Sequence, residues 1–239
     1  MAILGRGLRA SLYRKFVHKF YLNDLWLDLA IAAKRESVDY IRAHMLAAQV
    51  LRDRYDLLRF ALAAAPADGA VLEFGVEKGL SINCLARATP RVVHGFDSFR
   101  GLPQAWAGTK EAGGAFDQRG RLPRVPANVR LHVGWFNETL PAFLGEEKGA
   151  AALLHIDCDI YESTRVVFEL LSPRIVPGTV IVFDEYFNYP GWQQHEFRAF
   201  QDFIAREQRR YEYIGFSAER GHVAVRMLAA RTLTPALPR

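Results

Sequence analysis

Acidic side chains cluster at the ends of two apolar, β-branched segments. In HIDCDI, an extended backbone places His155, Asp157 and Asp159 on one face, and Asp184 and Glu185 close the later segment IVFDE. Carboxylates at adjacent strand ends repel one another unless a positive charge compensates them. Their oxygens are the ligands that a hard divalent ion such as Mg²⁺ prefers. The residues therefore predict a metal site here, with helix N-capping by Asp159 and Asp184 as the alternative.

A glycine-containing turn follows an earlier apolar segment, in EFGVEKGLS. Gly75 and Gly79 allow the backbone to turn sharply and to approach a ligand, and Glu73 supplies an acceptor at the end of the segment. The spacing differs from the GxGxxG pattern that holds a pyrophosphate, which disfavours a dinucleotide. A turn that binds no ligand is the alternative.

Asp97 ends the next apolar segment, in VHGFDSF, about 20 residues beyond the glycine turn. A carboxylate at this point can accept hydrogen bonds from the vicinal hydroxyls of a ribose. S-adenosylmethionine (SAM) and NAD both carry such a ribose, and a loop or cap residue is the alternative. In the following GWFNETLP, Asn137 either caps a helix or meets an adenine edge, and Trp135 or Phe136 can flank the ring.

The elements that must position these residues are predicted from hydrophobic patterning. Short β-branched segments at 70–76, 91–97, 129–136, 152–160 and 179–187 alternate with helix-length segments, which is typical of βαβ units in a mostly parallel sheet. YEYIGFSA and HVAVRML predict a C-terminal antiparallel hairpin at the sheet edge, which brings the total to seven strands. Residues 1–66 have a helical pattern. We therefore expect an N-terminal helical lid or dimerisation region over 1–66, a ligand-binding core over 67–228 and a flexible tail over 229–239.

The net charge of +5 arises mainly near the N-terminus. There Arg6, Arg9, Arg14, Lys15 and Lys19 alternate with apolar residues at helical spacing, which predicts an amphipathic helix with a basic face. Packing or homo-oligomerisation through this helix is the preferred interpretation, and binding to a membrane surface or an acidic partner is the alternative. The sequence contains no nucleic-acid-binding motif and no apolar run of membrane-spanning length. We expect a cytoplasmic protein with a small-molecule partner.

Five segments together resemble the macrocin O-methyltransferase family, in the same order and at similar spacing: EFGVEKGLS, VHGFDSFRGLP, GWFNETLP, HIDCDIYESTRVVFELLSPRIVPGTVIVFDEYF and HEFRAFQDF. The resemblance covers residues 70–205, and FDSFRGLP and DCDIYEST are its specific part. Members of that family are SAM-dependent, Mg²⁺-assisted enzymes that methylate hydroxyls of sugars or natural products. The resemblance implies the same activity and cofactors here, on the Rossmann-like α/β fold of class I methyltransferases.

The resemblance also assigns roles to residues by position. Those implied to bind SAM are Glu73, Gly75, Gly79, Ser81, Asp97, Ser98, Asn137 and Asp157. Those implied to bind the metal are Asp157, Asp184 and Glu185. Glu185 departs from the family, which carries Asp or Asn at this position. The related catechol-type enzymes carry a Lys where this chain has Ile160, so the motif assigns no general base.

Methyl transfer is an in-line displacement, so such an enzyme mainly has to align the acceptor oxygen with the methyl carbon and the sulfur. Asp159 and His195 are the candidates for taking the proton of the acceptor hydroxyl. Tyr186, Tyr189 and Trp192 are expected to shape the acceptor pocket. Two other functions remain open at this point: a nicotinamide-dependent oxidoreductase and a catalytically silent protein with the methyltransferase fold.

Overall fold

The computed structural model describes residues 6–18 and 23–230, which form one eight-stranded sheet covered by helices. The strands are β1 (Gln49–Leu51), β2 (Ala70–Phe74), β3 (Val93–Asp97), β4 (Val129–Val133), β5 (Ala151–Ile156), β6 (Val180–Phe183), β7 (Arg210–Ser217) and β8 (Val223–Leu228). The α-helices are α1 (Arg6–Val17), α2 (Leu25–His44), α3 (Arg54–Ala64), α4 (Leu80–Ala88), α5 (Phe136–Glu146), α6 (Tyr161–Leu171) and α7 (Glu196–Arg206). The five predicted parallel strands and the two hairpin strands are all present, and most end a few residues earlier than predicted.

The sheet has the order β1-β7-β8-β6-β5-β2-β3-β4, and β8 alone runs against its neighbours. The predicted α/β fold with a C-terminal antiparallel hairpin is therefore confirmed. The hairpin is not at the edge of the sheet, however, because β8 pairs with β6 and β1 pairs in parallel with β7. Since strands on both sides of β8 are parallel to each other, the carboxyl ends of seven strands face the same edge.

The edge strand β1 corrects the sequence prediction, which made residues 1–66 entirely helical and gave seven strands. Helix α2 ends at His44, and Gln49–Leu51 pair with Gly215, Phe216 and Ser217 of β7. Asp53 then starts α3 by accepting hydrogen bonds from the backbone N–H groups of Tyr55 and Asp56. Three residues between two helical segments are too few for a strand pattern to be visible in the sequence. The pairing of this segment with β7 therefore determines that it is a strand.

The sheet is buried on both faces. Alternate residues of β2 point to opposite sides, so that Leu72 and Phe74 pack with α5, α6 and α7, whereas Val71 packs with α3 and α4. Helix α7 presents Ala199, Phe200 and Phe203 to the first of these cores. Two covered faces leave the strand ends as the place where polar side chains can gather.

The N-terminal helices α1 and α2 precede this three-layered body. A helix is present over Arg6–Val17, where the sequence predicted one, and Lys19 lies outside the described residues. The predicted flexible tail lies outside the described residues beyond residue 230. Among the described helices, none combines the length and apolar character that crossing a membrane requires.

Candidate active site

A cavity of about 810 Å³ opens at the carboxyl ends of β2, β3, β5 and β6. This volume is in the range of small-molecule and cofactor sites. Nine of the predicted site residues line it: Gly75, Ser81, Asp97, Ser98, Asn137, Asp157, Asp159, Asp184 and Glu185. Glu73, Gly79 and His195 are not among the residues that line it. The predicted ligand residues therefore meet in one space, and three of them act from behind its wall.

The glycine turn has the backbone geometry that its sequence predicts. Gly75 has φ of 91°, and a Cβ atom on it would lie 1.6 Å from the carbonyl oxygen of Asp157. Only glycine can therefore occupy this crossing of two strand-end loops. Gly79 has φ of 77° and begins α4, but its neighbours Lys78 and Leu80 form the cavity wall in its place.

The carboxylate of Asp97 accepts hydrogen bonds from three backbone N–H groups. Its Oδ2 accepts hydrogen bonds from the N–H groups of Val76 and Glu77, each at 2.8 Å, and its Oδ1 accepts one from Phe99 at 2.7 Å. These bonds brace the glycine turn against β3. Each carboxylate oxygen can accept two hydrogen bonds, so Oδ1 keeps one free acceptor position beside the cavity.

Glu73 is completely buried and both of its oxygens are engaged within the protein. Oε1 accepts a hydrogen bond from the Ser81 hydroxyl at 3.0 Å, and Oε2 lies 2.9 Å from Nδ1 of His155. A direct contact between Glu73 and a ligand is therefore not what the geometry offers. Ser81 reaches the cavity and Glu73 orients its hydroxyl.

Trp135, Phe136 and Asn137 line the cavity at the start of α5. Asn137 is the second residue of the helix, so the helix-cap alternative for it is not what the structure shows. The N–H of Trp135 instead donates to the carboxylate of Glu138 at 3.2 Å. The amide of Asn137 therefore remains free to meet a ligand at this end of the cavity.

Asp157, Asp159 and Glu185, which also line the cavity, form a tight acidic group, with one carboxylate oxygen of each within 4.8 Å of the others. Burial, reinforced by the charge of Asp184, raises the pKa of Asp157 and of Glu185 well above their ordinary values. The same two causes raise the pKa of Asp159 to about 7. One oxygen of Glu185, Oε2, is buried without a hydrogen-bond partner. The negative charge of this group is therefore not compensated unless the group binds a proton or a cation.

Asp184 differs from these three carboxylates because the protein itself supplies its positive partners. Arg54 donates to its Oδ2 at 3.0 Å, and Nε2 atoms of His155 and His222 lie 3.6 and 3.5 Å from its Oδ1. Burial opposes ionisation, but these contacts hold the pKa of Asp184 well below its ordinary value. The protein thus supplies positive partners for Asp184, and the role of Asp184 as a metal ligand stays a prediction.

His155 connects the two sides of the cavity beneath its floor. Burial disfavours its charged form, yet the carboxylates of Asp184 and Glu73 on either side raise its pKa to about 10. The ring is thus a buried imidazolium between a residue of the glycine-turn side and one of the acidic side. A protonated imidazole has no lone pair for a metal.

His195 does not reach the cavity. Its Nε2 donates to the carbonyl oxygen of Ala107 at 2.7 Å, and its Nδ1 is buried without a partner. Burial lowers its pKa, so the ring is neutral and pins the loop that follows β3 to the start of α7. The structure gives His195 a place in support of the wall, and not one beside the acidic group.

Two of the three aromatic residues predicted to shape an acceptor pocket lie inside the core, and the third, Tyr189, is half-buried against the ring of Trp106. Tyr186 and Trp192 are buried, and the Tyr186 hydroxyl joins a network with Tyr213 and Gln201. Another part of the cavity wall is formed by residues from α2 and the long loop after β3: Trp26, Leu102, Pro103, Trp106, Thr109, Lys110, Glu111 and Phe116.

Three residues of the acidic side were missed from the sequence. Glu196 and Arg54 come from α7 and α3, and His222 immediately precedes β8. His222 lies beside Asp184 because Phe183 pairs with Val223 in antiparallel register. Glu196 carried one signal, since it occupies the same helical stripe as Ala199, Phe200 and Phe203, where an acid is unexpected.

Comparison with known proteins finds similarity to methyltransferases. Residues 72–186 match a family profile described as a methyltransferase domain. The 8-demethyl-8-(2,3-dimethoxy-alpha-L-rhamnosyl)-tetracenomycin-C 4'-O-methyltransferase of Streptomyces olivaceus is 33% identical over 163 residues, which are 56% of this chain and 60% of that protein. The chain thus aligns with less than two thirds of this curated relative.

Solved structures confirm the fold. The calicheamicin methyltransferase CalS11 superposes with a TM-score of 0.57 at 20% identity, over 94% of each chain. The O-methyltransferase NovP superposes with a TM-score of 0.53 at 23% identity, over 74% of this chain and 80% of its own. At these identities the likeness shows the class I methyltransferase fold alone.

Proposed function

We propose that this chain, which contains a class I methyltransferase domain, transfers a methyl group from SAM to a hydroxyl of a sugar or natural product. The observation that carries this proposal is the single cavity in which the Asp97 loop faces the acidic group of Asp157, Asp159 and Glu185. The Asp97 loop suits a nucleoside, and the acidic group suits an acceptor oxygen that has to lose a proton. The methyltransferase domain and the missing GxGxxG both speak against the nicotinamide-dependent alternative.

The glycine-turn side has the groups that SAM needs. SAM supplies an activated methyl group on a sulfonium centre. The free acceptor position of Asp97 suits a ribose hydroxyl, and Ser98 and Asn137 lie along the same wall. Trp135 and Phe136 offer apolar surface for the adenine ring. Glu73 and Gly79 act indirectly, by holding Ser81 and the start of α4.

Asp159 is the residue we assign to take the proton from the acceptor hydroxyl. It lines the cavity, and its pKa of about 7 lies near the pH at which a general base works best. His195 is separated from the acidic group and hydrogen-bonded to Ala107, so we assign it no proton transfer. Positioning of the acceptor remains the main contribution, because the displacement requires no covalent intermediate.

The acidic group also fits a divalent cation such as Mg²⁺. Asp157, Asp159 and Glu185 offer three oxygens within 4.8 Å, and the orphaned Oε2 of Glu185 is the kind of donor that such an ion satisfies. Asp184 also lies close to Asp157 and His155, but Arg54 and two histidines already engage it. A bound cation would lower the pKa of an acceptor hydroxyl and orient it. Asp157 and Glu185 would hold the cation, and Asp159 beside them would remain available to take the proton.

The proposed acceptor class is supported by the part of the cavity wall that α2 and the loop after β3 form, and by the curated relative. Trp26, Trp106 and Phe116 give this wall an aromatic surface, and Lys110 and Glu111 add polar groups. Such a mixture suits a glycoside with an apolar aglycone. The relative is named for a rhamnosyl derivative of tetracenomycin, which agrees with a deoxysugar hydroxyl as the methylated group.

The N-terminal region is proposed to cover the cavity and to mediate self-association. Trp26 of α2 lies in the cavity wall, where the Lys110 ammonium stands 5.0 Å from the centre of its ring. Leu25 and Leu29 on the same helix are 74% and 52% exposed, which suits a contact with a second copy. A boundary near residue 66, a cytoplasmic location and the absence of nucleic-acid partners remain parts of this proposal.

Incubation with methyl-labelled SAM and a panel of rhamnosides and other glycosides tests the activity. We expect label in one acceptor class, with formation of S-adenosylhomocysteine (SAH) that depends on the acceptor. Binding of SAM with no transfer to any glycoside would favour the catalytically silent alternative. Binding of NAD in preference to SAM would contradict the proposal altogether.

A further inference from the structure

Glu196 is a carboxylate with no exposed surface at the first position of α7. It does not line the cavity, so it cannot contact a ligand there. No Lys or Arg within the described residues forms an ion pair with it. Burial, reinforced by the charge of Asp159, raises the pKa of Glu196 to about 8. A buried polar group needs hydrogen-bond partners, and the partners of Glu196 are therefore informative.

Those partners are backbone N–H groups of the two loops that carry the acidic group. Oε1 accepts hydrogen bonds from Cys158 and Asp159, each at 3.1 Å, and Oε2 accepts one from Glu185 at 3.3 Å. One side chain thus joins the loop after β5 to the loop after β6. The N–H groups face Glu196, and the side chains of Asp159 and Glu185 line the cavity.

The loop after β5 needs such an anchor. Asp159 has a φ of 64°, in the left-handed region that residues other than glycine adopt only when their surroundings hold them there. Consecutive N–H groups next to a left-handed residue point to one side and form a small anion-binding concavity. The Oε1 atom of Glu196 occupies that position, so the loop conformation and the acid depend on each other.

We propose that Glu196 is a positioning residue that sets the spacing of Asp157, Asp159 and Glu185 across the cavity. This inference rests on the proposed function, in which these three carboxylates handle the acceptor oxygen. Without Glu196 the two loops lose their shared anchor and Asp159 can leave the left-handed region. Glu196 therefore governs turnover and the acidic side, and leaves the Asp97 loop and cofactor binding intact.

Glu196→Gln is the informative variant because it keeps the shape and one acceptor oxygen. The amide NH₂ group of Gln donates hydrogen bonds and cannot accept one from a backbone N–H. At least one of the hydrogen bonds that Glu196 accepts from the two loops is therefore lost. Asp202→Asn is the matched control, since Asp202 lies on the same helix and its side chain is 50% exposed. Both variants replace one carboxyl group of α7 by a carboxamide.

The first measurement is residue-resolved amide hydrogen exchange, which requires no acceptor. In the wild type we expect Cys158, Asp159 and Glu185 to be protected although they lie in loops. In Glu196→Gln we expect exchange at these amides to be about 10-fold faster, with Val76 and Glu77 unchanged. Unprotected amides in the wild-type protein would overturn the proposal without any variant, as would equal exchange in Glu196→Gln and Asp202→Asn.

The second measurement separates positioning from general stability. We expect SAH affinity to stay the same within about twofold in Glu196→Gln, while kcat falls about 100-fold. A parallel loss of SAH affinity, or an unchanged kcat, would contradict a positioning role. If the wild-type protein bound no SAH, the proposed function would fail, whereas the exchange result would still test whether Glu196 anchors the two loops.

Discussion

On each side of the cavity, a carboxyl side chain holds the loops in place by accepting hydrogen bonds from backbone N–H groups, but the two carboxyl groups differ in where they lie. Asp97 accepts three backbone N–H groups and holds the glycine turn, and Glu196 accepts three and holds the two acidic loops. Asp97 also borders the cavity, so one residue both supports the loop and faces the ligand. Glu196 is buried behind the wall, so support and chemistry are divided among different residues on the acidic side.

This difference explains why the acidic side requires contributions from the whole chain. Its anchor comes from α7, and the partners of Asp184 come from α3 and β8 in Arg54 and His222. The hydrogen bonds that hold the Asp97 loop and the glycine turn all lie within residues 73–99, and α5 adds Trp135, Phe136 and Asn137 to this side. We infer that cofactor binding tolerates changes elsewhere in the chain, whereas turnover depends on distant residues.

The largest expected effect is that of Asp159→Asn, which removes the assigned general base and keeps the size of the side chain. We expect kcat to fall by about 10²- to 10⁴-fold, the range for loss of general-base catalysis, with little change in SAH affinity. Steady-state kinetics and an SAH titration measure both quantities. Glu169→Gln, an exposed change on α6, is the control, and a wild-type kcat in Asp159→Asn would remove the assignment.

Arg54→Met sharpens the comparison through the metal. Loss of the guanidinium frees Asp184 and removes a repelling charge, so we expect Mn²⁺, used as a spectroscopic substitute for Mg²⁺, to bind at least about 10-fold more tightly. Arg54→Lys keeps the positive charge and should behave like the wild type. Weaker Mn²⁺ binding in Arg54→Met, or no binding in either protein, would contradict a cation site at Asp157 and Glu185.

His155 links the two sides, and its titration predicts a stability change at alkaline pH. Its pKa is about 10 in the folded protein, above the value near 6.5 of a free side chain, so its contribution is complete below about pH 6.5 and is lost as the pH rises through about 10. We expect Tm to fall across this window, by about 2–4 °C per kcal/mol lost. His155→Gln should be less stable at pH 7 but should show a flatter profile. Parallel profiles for the two proteins would show that His155 does not titrate there.

The smallest effect is expected from His195→Asn. The lost hydrogen bond to Ala107 is worth about 1 kcal/mol, so we expect KM for the acceptor to rise about fivefold as the loop loosens, with kcat nearly unchanged. A fall in kcat of about 100-fold or more would instead support His195 as a general base. Initial-rate kinetics over a range of acceptor concentrations distinguish the two results.

The sequence predicted the glycine-turn side better than the acidic side. Gly75 and Asp97 follow consecutive strands of one βαβ unit, and the carboxyl ends of parallel strands meet at one edge by a general rule. The carboxylates of the acidic side followed the same rule. Their partners did not, because Arg54 reaches Asp184 only through the packing of α3. The acid at 196 was detectable in principle as a polar residue on an apolar helical stripe.

The same contrast applies to the fold. All strands of four or more residues were predicted, and the hairpin β7–β8 was recognised from its tight turn. The insertion of β8 between β6 and β7, and the pairing of β1 with β7, depend on side-by-side packing of segments that are distant in sequence. Local patterns contain no information about such neighbours.

The most direct test of the account is calorimetric titration of SAH into the wild-type protein and into Asp97→Asn, with NAD as the comparison ligand. We predict that SAH binds the wild type, that Asp97→Asn weakens binding by about 100-fold through loss of charged hydrogen bonds, and that NAD does not bind. Absence of SAH binding, preference for NAD, or an affinity in Asp97→Asn within about twofold of the wild type would contradict the assignment of this cavity to SAM.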